Sequence, residues 1–489
     1  MAWSRKMRIR NQRQRFTEYC ERTQINKLIG VLLFVTLLGC VPLVSVMEVA
    51  RTKEAKTGSL ELSEQLAPPP VTPIFSARRI PQALIDSTLK VRVASKLQQL
   101  TASFPAESCL TVRTNDREIF SLRSDLSLIP GSNMKLLTAA VALDVIKPDT
   151  VFSTKLFGVV DGSVVRGDLW LVGSGDPLLS TRSYPQTERF PTLTPTYVEG
   201  LVESLIASGI KSVSGSVVGD ESLYDAERYS PNWGDGIRGT EAGPLSALMI
   251  NDANTTESPV KLANPAYSAA KEFTRLLKEA GIFVKGLPDI DTAPPNTPEI
   301  ARIDSAPLRD IVAEMLTNSD NNTAELLLKE IGRVSQGSPT RIAGLEVIAN
   351  KIVEWQLPSA GVALGDGSGL DRATHLTCGL LTALLQRAGA NSDLVKGMSL
   401  AGSSGTLREN FMTGPAFKVL RGKTGTLTGV KALSGVFPFS KDRATMFTLL
   451  LNGTGTSTTE IYIPIWNSLV SSLASGGDSI DLEKVAPVK

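Results

Sequence analysis

A long apolar run marks one predicted helix as part of a core. From Met134 to Ile146 only Lys135, Thr138 and Asp144 are polar. A helix that is apolar nearly all round belongs in a core rather than on a surface, so the pattern predicts a buried helix that carries a buried lysine. Burial disfavours the charged form of lysine and makes the amine of Lys135 available as a base near neutral pH.

Further elements surround this helix. Apolar positions at helical spacing predict helices over 81–104, 308–316, 323–331, 376–388 and 460–474. Alternating patterns predict a hairpin of 109–114 and 118–123, then three successive strands over 417–426, 430–439 and 444–451. These elements predict an α+β fold in which about five antiparallel strands form one sheet that helices cover.

The pattern changes between residues 151 and 302. Short β-rich pieces there, with helical runs at 197–208 and 266–280, separate two parts of one predicted sheet. We therefore predict an inserted β-rich domain over 151–302. The main domain then has two parts, 83–150 and 303–476, and a short tail follows over 477–489. Asp176 and Asp220 of the insert lie among turn-forming Gly and Pro with no histidine near, which favours a structural role over a metal site.

The N-terminal region predicts a membrane anchor. Residues 28–47 are uncharged and mostly apolar, which is long enough to cross a bilayer. Residues 1–27 carry eight Lys or Arg against two Glu, and a positive flank stays in the cytoplasm. We expect a basic cytoplasmic tail over 1–27, an uncleaved transmembrane anchor over 28–47 and an extended linker over 48–82. A cleavable signal peptide and a lipidated Cys40 are the alternatives.

Composition adds little beyond this. The chain has 489 residues, of which 42% are hydrophobic and 20% charged, values typical of a globular protein of two or three domains. Of the four cysteines, Cys109 and Cys378 lie outside the tail and the anchor. They could form one disulfide, but a single pair so far apart favours two buried free thiols.

The start of the apolar helix could carry chemistry. Ser132 lies three positions before Lys135, on the same helix face and at the positive N-terminal end, where a hydroxyl can meet the amine. The alternative is an ordinary capped helix whose lysine reaches water. The S-x-x-K spacing is weak alone, because it recurs elsewhere, as at Ser208 and Lys211.

Two later motifs complete a set. Ser319-Asp320-Asn321 lies in a polar loop between two predicted core helices, and Lys423-Thr424-Gly425-Thr426 lies on a predicted strand. S-x-x-K, S-D-N and K-T-G in this order are the signature of active-site-serine penicillin-binding proteins and β-lactamases. A Ser-Lys mechanism does not need the single histidine, His375, for which we expect a structural role.

The sequence resembles one family over residues 83–476. Besides the three motifs it has Gly173-Ser-Gly-Asp-Pro177, Asp366-Gly-Ser-Gly-Leu370, Gly405-Thr-Leu-Arg408 and a long insert between the first two motifs. In these features it is similar to the class C low-molecular-mass penicillin-binding proteins, the D-alanyl-D-alanine carboxypeptidase/endopeptidase family. The resemblance implies a penicillin-binding transpeptidase-like fold. Asp371 departs from the small polar residue expected at its position.

The resemblance also implies a role for each motif. Ser132 would form an acyl-enzyme with Lys135 as base, and Ser319 would pass a proton to the leaving amine. Asn321 would hold the peptide amide. The segment Lys423-Thr424-Gly425-Thr426 would bind the substrate: its Lys and Thr side chains would bind the terminal carboxylate, and the N–H groups of Ser132 and Thr426 would form the oxyanion hole.

The implied partners are peptidoglycan stem peptides ending in D-Ala-D-Ala and β-lactam antibiotics. We expect no metal, cofactor or nucleic acid. With the anchor, the catalytic domain would lie on the periplasmic or extracytoplasmic side of a bacterial cytoplasmic membrane. A β-lactamase would need a carboxylate that activates the deacylating water, and no convincing Glu motif is present. A catalytically silent cell-wall-binding or β-lactam-sensing module is the second alternative, but all three motifs are intact.

Overall fold

The computed structural model describes residues 81–114, 117–184, 191–254, 261–440 and 443–476. The predicted basic tail, membrane anchor, C-terminal tail and nearly all of the linker lie outside these ranges. Within them no helix combines the length and the apolar character that a membrane crossing requires.

The main sheet joins the two ends of the described chain. Its strands are β1 (Glu107–Thr114), β2 (Arg117–Leu122), β12 (Ser399–Leu400), β13 (Arg421–Leu427), β14 (Val430–Ser440) and β15 (Arg443–Asn452). They are antiparallel and run in the order β12-β13-β14-β15-β1-β2. The fold class is α+β, as expected, and the two-residue strand β12 adds a sixth strand at the edge beside β13.

Helices cover both faces of this sheet. One face packs against α1 (Pro81–Leu100) and α10 (Thr459–Ala474), through a cluster that includes Leu97, Phe447 and Trp466. The other face packs against α2 (Met134–Val145) and a group of helices that surround it. A short 3₁₀ turn, Gly131–Asn133, leads into α2, which is buried as predicted.

Most of the strands between Ser153 and Asp304 form a second sheet, separate from the main one. Its strands are β3 (Ser153–Asp161), β4 (Val164–Val172), β7 (Ser212–Val213), β8 (Val217–Asp220), β9 (Phe283–Val284), β10 (Asp289–Ile290) and β11 (Glu299–Asp304). Two further short strands, β5 (Leu179–Ser180) and β6 (Thr196–Tyr197), pair with each other. The helices α3 (Glu199–Ala207) and α4 (Pro265–Glu279) share the core of the larger sheet. The strand β11 of this sheet ends at Asp304, two residues after the predicted boundary of the insert at 302. The domain boundaries stay a prediction.

The segment between β8 and Asn251 packs against the main domain. Tyr224, Trp233 and Met249 form a buried cluster with Leu326 and Leu370, which belong to the second part of the main domain. Residues of the predicted insert therefore share a buried cluster with the main domain.

Besides α10, the second part of the main domain supplies five described helices, of which two were not predicted. They are α5 (Leu308–Asn318), α6 (Asn321–Gln336), α7 (Arg341–Glu354), α8 (Cys378–Ala388) and the short α9 (Asp393–Lys396). The sequence pattern missed the short α9 and also α7, which packs against α6. A Cβ on its Gly344 would lie 2.1 Å from the carbonyl oxygen of Leu328, so glycine is required where the two helices touch.

The prediction of two free thiols is wrong. Cys109 of β1 and Cys378 of α8 form a disulfide with a Cα–Cα distance of 5.9 Å. Both residues are fully buried in the core between the sheet and α8. Their separation of 269 positions hid this contact from the sequence.

Candidate active site

The turn that carries Ser132 lies directly against strand β13. Gly131 has a φ of +52°, and a Cβ added to it would lie 3.2 Å from the backbone nitrogen of Thr426. A Cβ on Gly425 would lie 2.5 Å from the carbonyl oxygen of Pro130. Two glycines thus allow the backbone of the turn and that of the strand to touch, which places Ser132 beside the K-T-G motif.

Lys135 has three hydrogen-bond partners that come from three segments of the chain. Its Nζ lies 3.0 Å from the Oγ of Ser132, 2.7 Å from the Oδ1 of Asn321 and 2.8 Å from the carbonyl oxygen of Ser368. The side chain is fully buried. The structure therefore brings the first two motifs and the Asp366–Leu370 segment together around one amine.

The protonation of Lys135 follows from its burial. Desolvation lowers its pKa to about 8, and the carboxyl groups of Asp366, Glu325, Asp320 and Glu241 oppose this effect when they are ionised. A pKa near 8 leaves about a tenth of the amine neutral at pH 7, a far larger fraction than for an exposed lysine. The predicted burial of Lys135 is confirmed. It brings the pKa of the amine close to neutral pH, which is the range that suits a general base.

The second motif joins two helices. Ser319 ends α5 in the left-handed conformation, with a φ of +66°, and Asp320 caps the N-terminus of α6 by accepting a hydrogen bond from Thr323. The amide of Asn321 is engaged on both sides, because its Oδ1 accepts from Lys135 and its Nδ2 donates to the carbonyl oxygen of Glu241 at 2.8 Å. Glu241 lies within the predicted insert, so this segment contacts the second motif through one backbone carbonyl.

Lys423 forms a second serine–lysine pair. Its buried Nζ donates to the Oγ of Ser319 at 2.8 Å and to the carbonyl oxygen of Thr424 at 2.9 Å. Burial, and next the charge of Lys135, hold the pKa of Lys423 well below its usual value. The three motifs thus meet in one cluster of two serines, two lysines and an asparagine.

The two threonines of the third motif differ in what they present. The Oγ1 of Thr424 donates to the Oγ1 of Thr406 at 2.8 Å, and Thr424 is nearly buried. Thr426 is exposed, and its Oγ1 accepts a hydrogen bond from Lys431 at 2.9 Å. The bond to Lys431 therefore leaves the hydroxyl proton of Thr426 unused, whereas Thr424 donates its proton to Thr406.

Sequence reasoning assigned no role to two carboxyl groups near Lys135, those of Glu325 and Asp366. Glu325 lies one turn beyond Asn321 on α6, and its Oε1 accepts from the backbone nitrogens of Gly367 and Ser368. Burial and then the charge of Asp366 raise the pKa of Glu325 to about 8. The fully buried Asp366 accepts from Trp233, Gly369 and other donors around it. The Asp366-Gly-Ser-Gly run was the available signal, since a turn with a buried acid holds the Ser368 carbonyl on Lys135.

The other acidic and histidine residues that the sequence analysis discussed have partners close to them in the chain or in the fold. Asp371 accepts from Asn232 and from the backbone of Ala373. The ring of His375 contacts the Ala373 carbonyl oxygen at 3.0 Å, and its backbone pairs with Ala363. Asp176 and Asp220 accept backbone hydrogen bonds in turns. Among the described residues no cluster of three or more His, Cys, Asp or Glu could hold a metal ion.

Comparisons with known proteins agree with this geometry. The model of the D-Ala-D-Ala carboxypeptidase 3 (S13) family matches residues 90–261 and 249–463. A carboxypeptidase of Mycobacterium tuberculosis is 30% identical over 408 residues, covering 80% of this chain and 86% of that protein. A D-alanyl-D-alanine carboxypeptidase of an Actinomadura species is 26% identical over 421 residues, covering 69% of this chain and 75% of that protein.

The fold is also found among solved structures. Penicillin-binding protein 4 of Haemophilus influenzae matches with a TM-score of 0.64 at 20% identity, over 77% of this chain and 98% of that one. Because the family model covers most of the sequence, and because the three motifs meet in one buried cluster, the chain belongs to the D-Ala-D-Ala carboxypeptidase 3 (S13) family.

Proposed function

We propose that this protein is a serine D-alanyl-D-alanine carboxypeptidase and endopeptidase that acts on peptidoglycan through an acyl-enzyme on Ser132. The observation that carries the proposal is the arrangement around Lys135. Two of its partners, the Oδ1 of Asn321 and the carbonyl of Ser368, can only accept hydrogen bonds. The third partner, the hydroxyl of Ser132, is the one that can donate.

This arrangement orients the neutral amine. When Lys135 is neutral, its two N–H groups donate to Asn321 and Ser368, and its lone pair faces Ser132. Ser132 then loses its proton to Lys135 as its Oγ bonds to the carbonyl carbon of the penultimate D-alanine. A general base in this position contributes about 10²–10⁴-fold in rate.

The second serine–lysine pair fits the next step. Lys423 donates to Ser319, so the hydroxyl proton of Ser319 is free to pass to the leaving amine as the peptide C–N bond breaks. The proton that Lys135 took from Ser132 replaces it on Ser319, and Lys135 is neutral again. The N–H groups of Ser132 and Thr426 would stabilise the oxyanion, since the turn and β13 touch at Gly131 and Gly425. Lys135 then takes a proton from water as the water oxygen bonds to the acyl carbon. That proton returns to the Oγ of Ser132 as the ester bond breaks and the shortened peptide leaves.

Acylation by a labelled penicillin tests the nucleophile. A β-lactam presents an amide that resembles the D-Ala-D-Ala bond and leaves an ester that water releases slowly. We expect peptide mapping to place the label on Ser132, and Ser132→Ala to abolish both the label and peptide cleavage. Ser208→Ala is the matched control, because Ser208 has the same spacing to Lys211 but is exposed at the C-terminal end of α3. A label on another residue, or normal cleavage by Ser132→Ala, contradicts the proposal.

The site supports both kinds of cleavage. One solved relative of the same fold is a predatory peptidoglycan endopeptidase of Bdellovibrio bacteriovorus, with a TM-score of 0.51 and 17% identity, a likeness that concerns the fold alone. We infer that monomeric stem peptides and cross-linked dimers both bind, since both present a carbonyl followed by a carboxylate-bearing leaving amine. Digestion of defined monomeric and cross-linked wall peptides by the same preparation measures the two activities. Cleavage of only one kind of peptide, or of none, contradicts the inference.

The sequence also supports a membrane location. The uncharged run 28–47, after a basic segment, favours a single-pass anchor with its N-terminus in the cytoplasm. The catalytic domain would then lie outside the cytoplasmic membrane, where its substrate is. Protease treatment of intact spheroplasts tests this topology, and a protected catalytic domain contradicts it.

A further inference from the structure

A third lysine contacts the substrate-binding strand from behind. Lys431 on β14 stands directly opposite Thr426 of β13 in the antiparallel register. Its Nζ donates a hydrogen bond to the Oγ1 of Thr426 at 2.9 Å. The residue is 8% exposed, so this lysine is committed to the strand rather than to solvent.

Two aromatic rings of the last helix hold this ammonium group. The Nζ of Lys431 lies 3.9 Å from the ring centre of Tyr462 and 5.1 Å from that of Trp466, both on α10. Aromatic faces attract a cation within about 6 Å. Burial lowers the pKa of Lys431 to about 8, which still leaves most of this amine charged at pH 7.

The position of this charge affects the hydroxyl that faces the substrate. Because Lys431 fills one lone pair of the Thr426 oxygen, the hydroxyl proton of Thr426 points elsewhere and is free to donate. Thr424, the other hydroxyl of the motif, donates to Thr406 instead. Thr426 is thus the threonine that can donate to a carboxylate. Its hydroxyl oxygen is directly hydrogen-bonded to the positively charged amine of Lys431.

We propose that Lys431 is a positioning residue that orients and polarises the Thr426 hydroxyl, and so sets the preference for substrates with a free terminal carboxylate. It acts through Thr426 and need not touch the substrate. The proposal rests on the proposed function, since it takes the bound carboxylate from it. A hydrogen bond donated by a cation is about twice as strong as a neutral one, so its loss should weaken carboxylate recognition specifically.

The test compares two peptides that differ only in the terminal group. One ends in D-Ala-D-Ala with a free carboxylate, and the other ends in the corresponding D-alaninamide. We expect Lys431→Met, which keeps an apolar stem under the rings, to lower kcat/KM about tenfold or more on the carboxylate peptide. The amide peptide should change little, so the ratio between the two peptides falls. Lys431→Arg should restore the ratio, because guanidinium also stacks on aromatic rings and donates hydrogen bonds.

A matched control separates this effect from the loss of any lysine–aromatic contact. Lys351 on α7 lies 5.9 Å from the ring centre of Trp355, and it forms ion pairs with Asp144 and Glu354, neither of which belongs to a motif. Lys351→Met should leave the ratio of the two peptides unchanged.

Three results overturn the proposal: an unchanged ratio in Lys431→Met, an equal loss on both peptides, or no recovery in Lys431→Arg. Failure of the proposed function is distinct. In that case the wild-type protein itself cleaves neither peptide and takes no penicillin label on Ser132.

Discussion

The Nζ of Lys423 donates a hydrogen bond to the Oγ of Ser319 at 2.8 Å, across 104 positions of the chain. A second lysine, Lys135, makes the same type of contact with Ser132 at 3.0 Å. The positive charge of Lys135 helps to lower the pKa of Lys423, and the repulsion acts in both directions. Protonation of one amine therefore disfavours protonation of the other, which helps to keep one amine neutral as a base.

The pH dependence of acylation tests the base. Because only neutral Lys135 can accept the proton and its pKa is about 8, the rate of acylation by labelled penicillin should rise as pH increases from 6 towards 8. The rise should be close to tenfold per pH unit at the acidic end. Stopped-flow measurement of the wild-type protein gives the profile.

The variant Lys135→Ala provides the comparison for this profile. Its acylation should be slower by about 10²–10⁴-fold and should lack the rise between pH 6 and 8. A rise that persists in this variant assigns the titration to another group.

Substitution of Glu325 separates its shape from its charge. The pKa of Glu325 is raised to about 8, so the buried side chain is largely protonated at pH 7 and Glu325→Gln should retain activity. Glu325→Ala leaves the nitrogens of Gly367 and Ser368 without their acceptor. We expect it to lower the free energy of unfolding by about 2–4 kcal/mol and to reduce acylation, because Ser368 holds Lys135.

The same glutamate predicts a difference in stability with pH. Its folded-state pKa of about 8 lies above the ordinary value of 4.5, so between these values the folded state binds the proton that the unfolded state releases. The contribution of Glu325 to the free energy of unfolding therefore falls as pH rises through this window. Denaturation of Glu325→Gln should lack this part of the slope, whereas the exposed control Glu346→Gln should keep it. Identical slopes in wild type and Glu325→Gln contradict the raised pKa.

A single methyl group tests the contact between the turn and the strand. In Gly425→Ala the new Cβ would lie 2.5 Å from the carbonyl oxygen of Pro130 and 2.9 Å from the Nδ2 of Asn133. Strand β13 must then move away from Ser132, and a displacement of about 1 Å can cost about 10²-fold in rate. The control is Gly234→Ala, where a Cβ would meet nothing within 4 Å. Penicillin acylation should fall strongly in the first variant alone, and equal rates refute the contact.

The disulfide predicts a chemical and a thermodynamic result. Denatured, unreduced protein should leave Cys109 and Cys378 unmodified by an alkylating reagent, and reduction should expose both. Replacing both with alanine should lower the free energy of unfolding by about 2–5 kcal/mol, as measured by denaturant titration. Alkylation of both thiols without a reductant shows that they are free.

Much of the fold and of the candidate site could be read from local pattern. Alternation over a few residues identified the hairpin before Ser132 and the three strands at 421–452, and an apolar run identified α2. The three motifs were visible because each is contiguous, and their order pointed to one site. Each of these features depends on residues that are close together in the sequence. Local pattern and spacing were therefore enough to predict them.

Only the tertiary structure decided how these segments meet. The missed helix α7 contains Gly344, which lowers helical propensity and which only the approach of Leu328 explains. Contacts between residues far apart in the chain complete the site and the core. They include the hydrogen bond of Lys135 to Ser368, the Cys109–Cys378 disulfide and the contact of Lys431 with Tyr462 of the last helix. Such contacts arise from packing in a shared core, where burial removes water and sets the pKa of each lysine, and no local pattern encodes which distant group fills the remaining space.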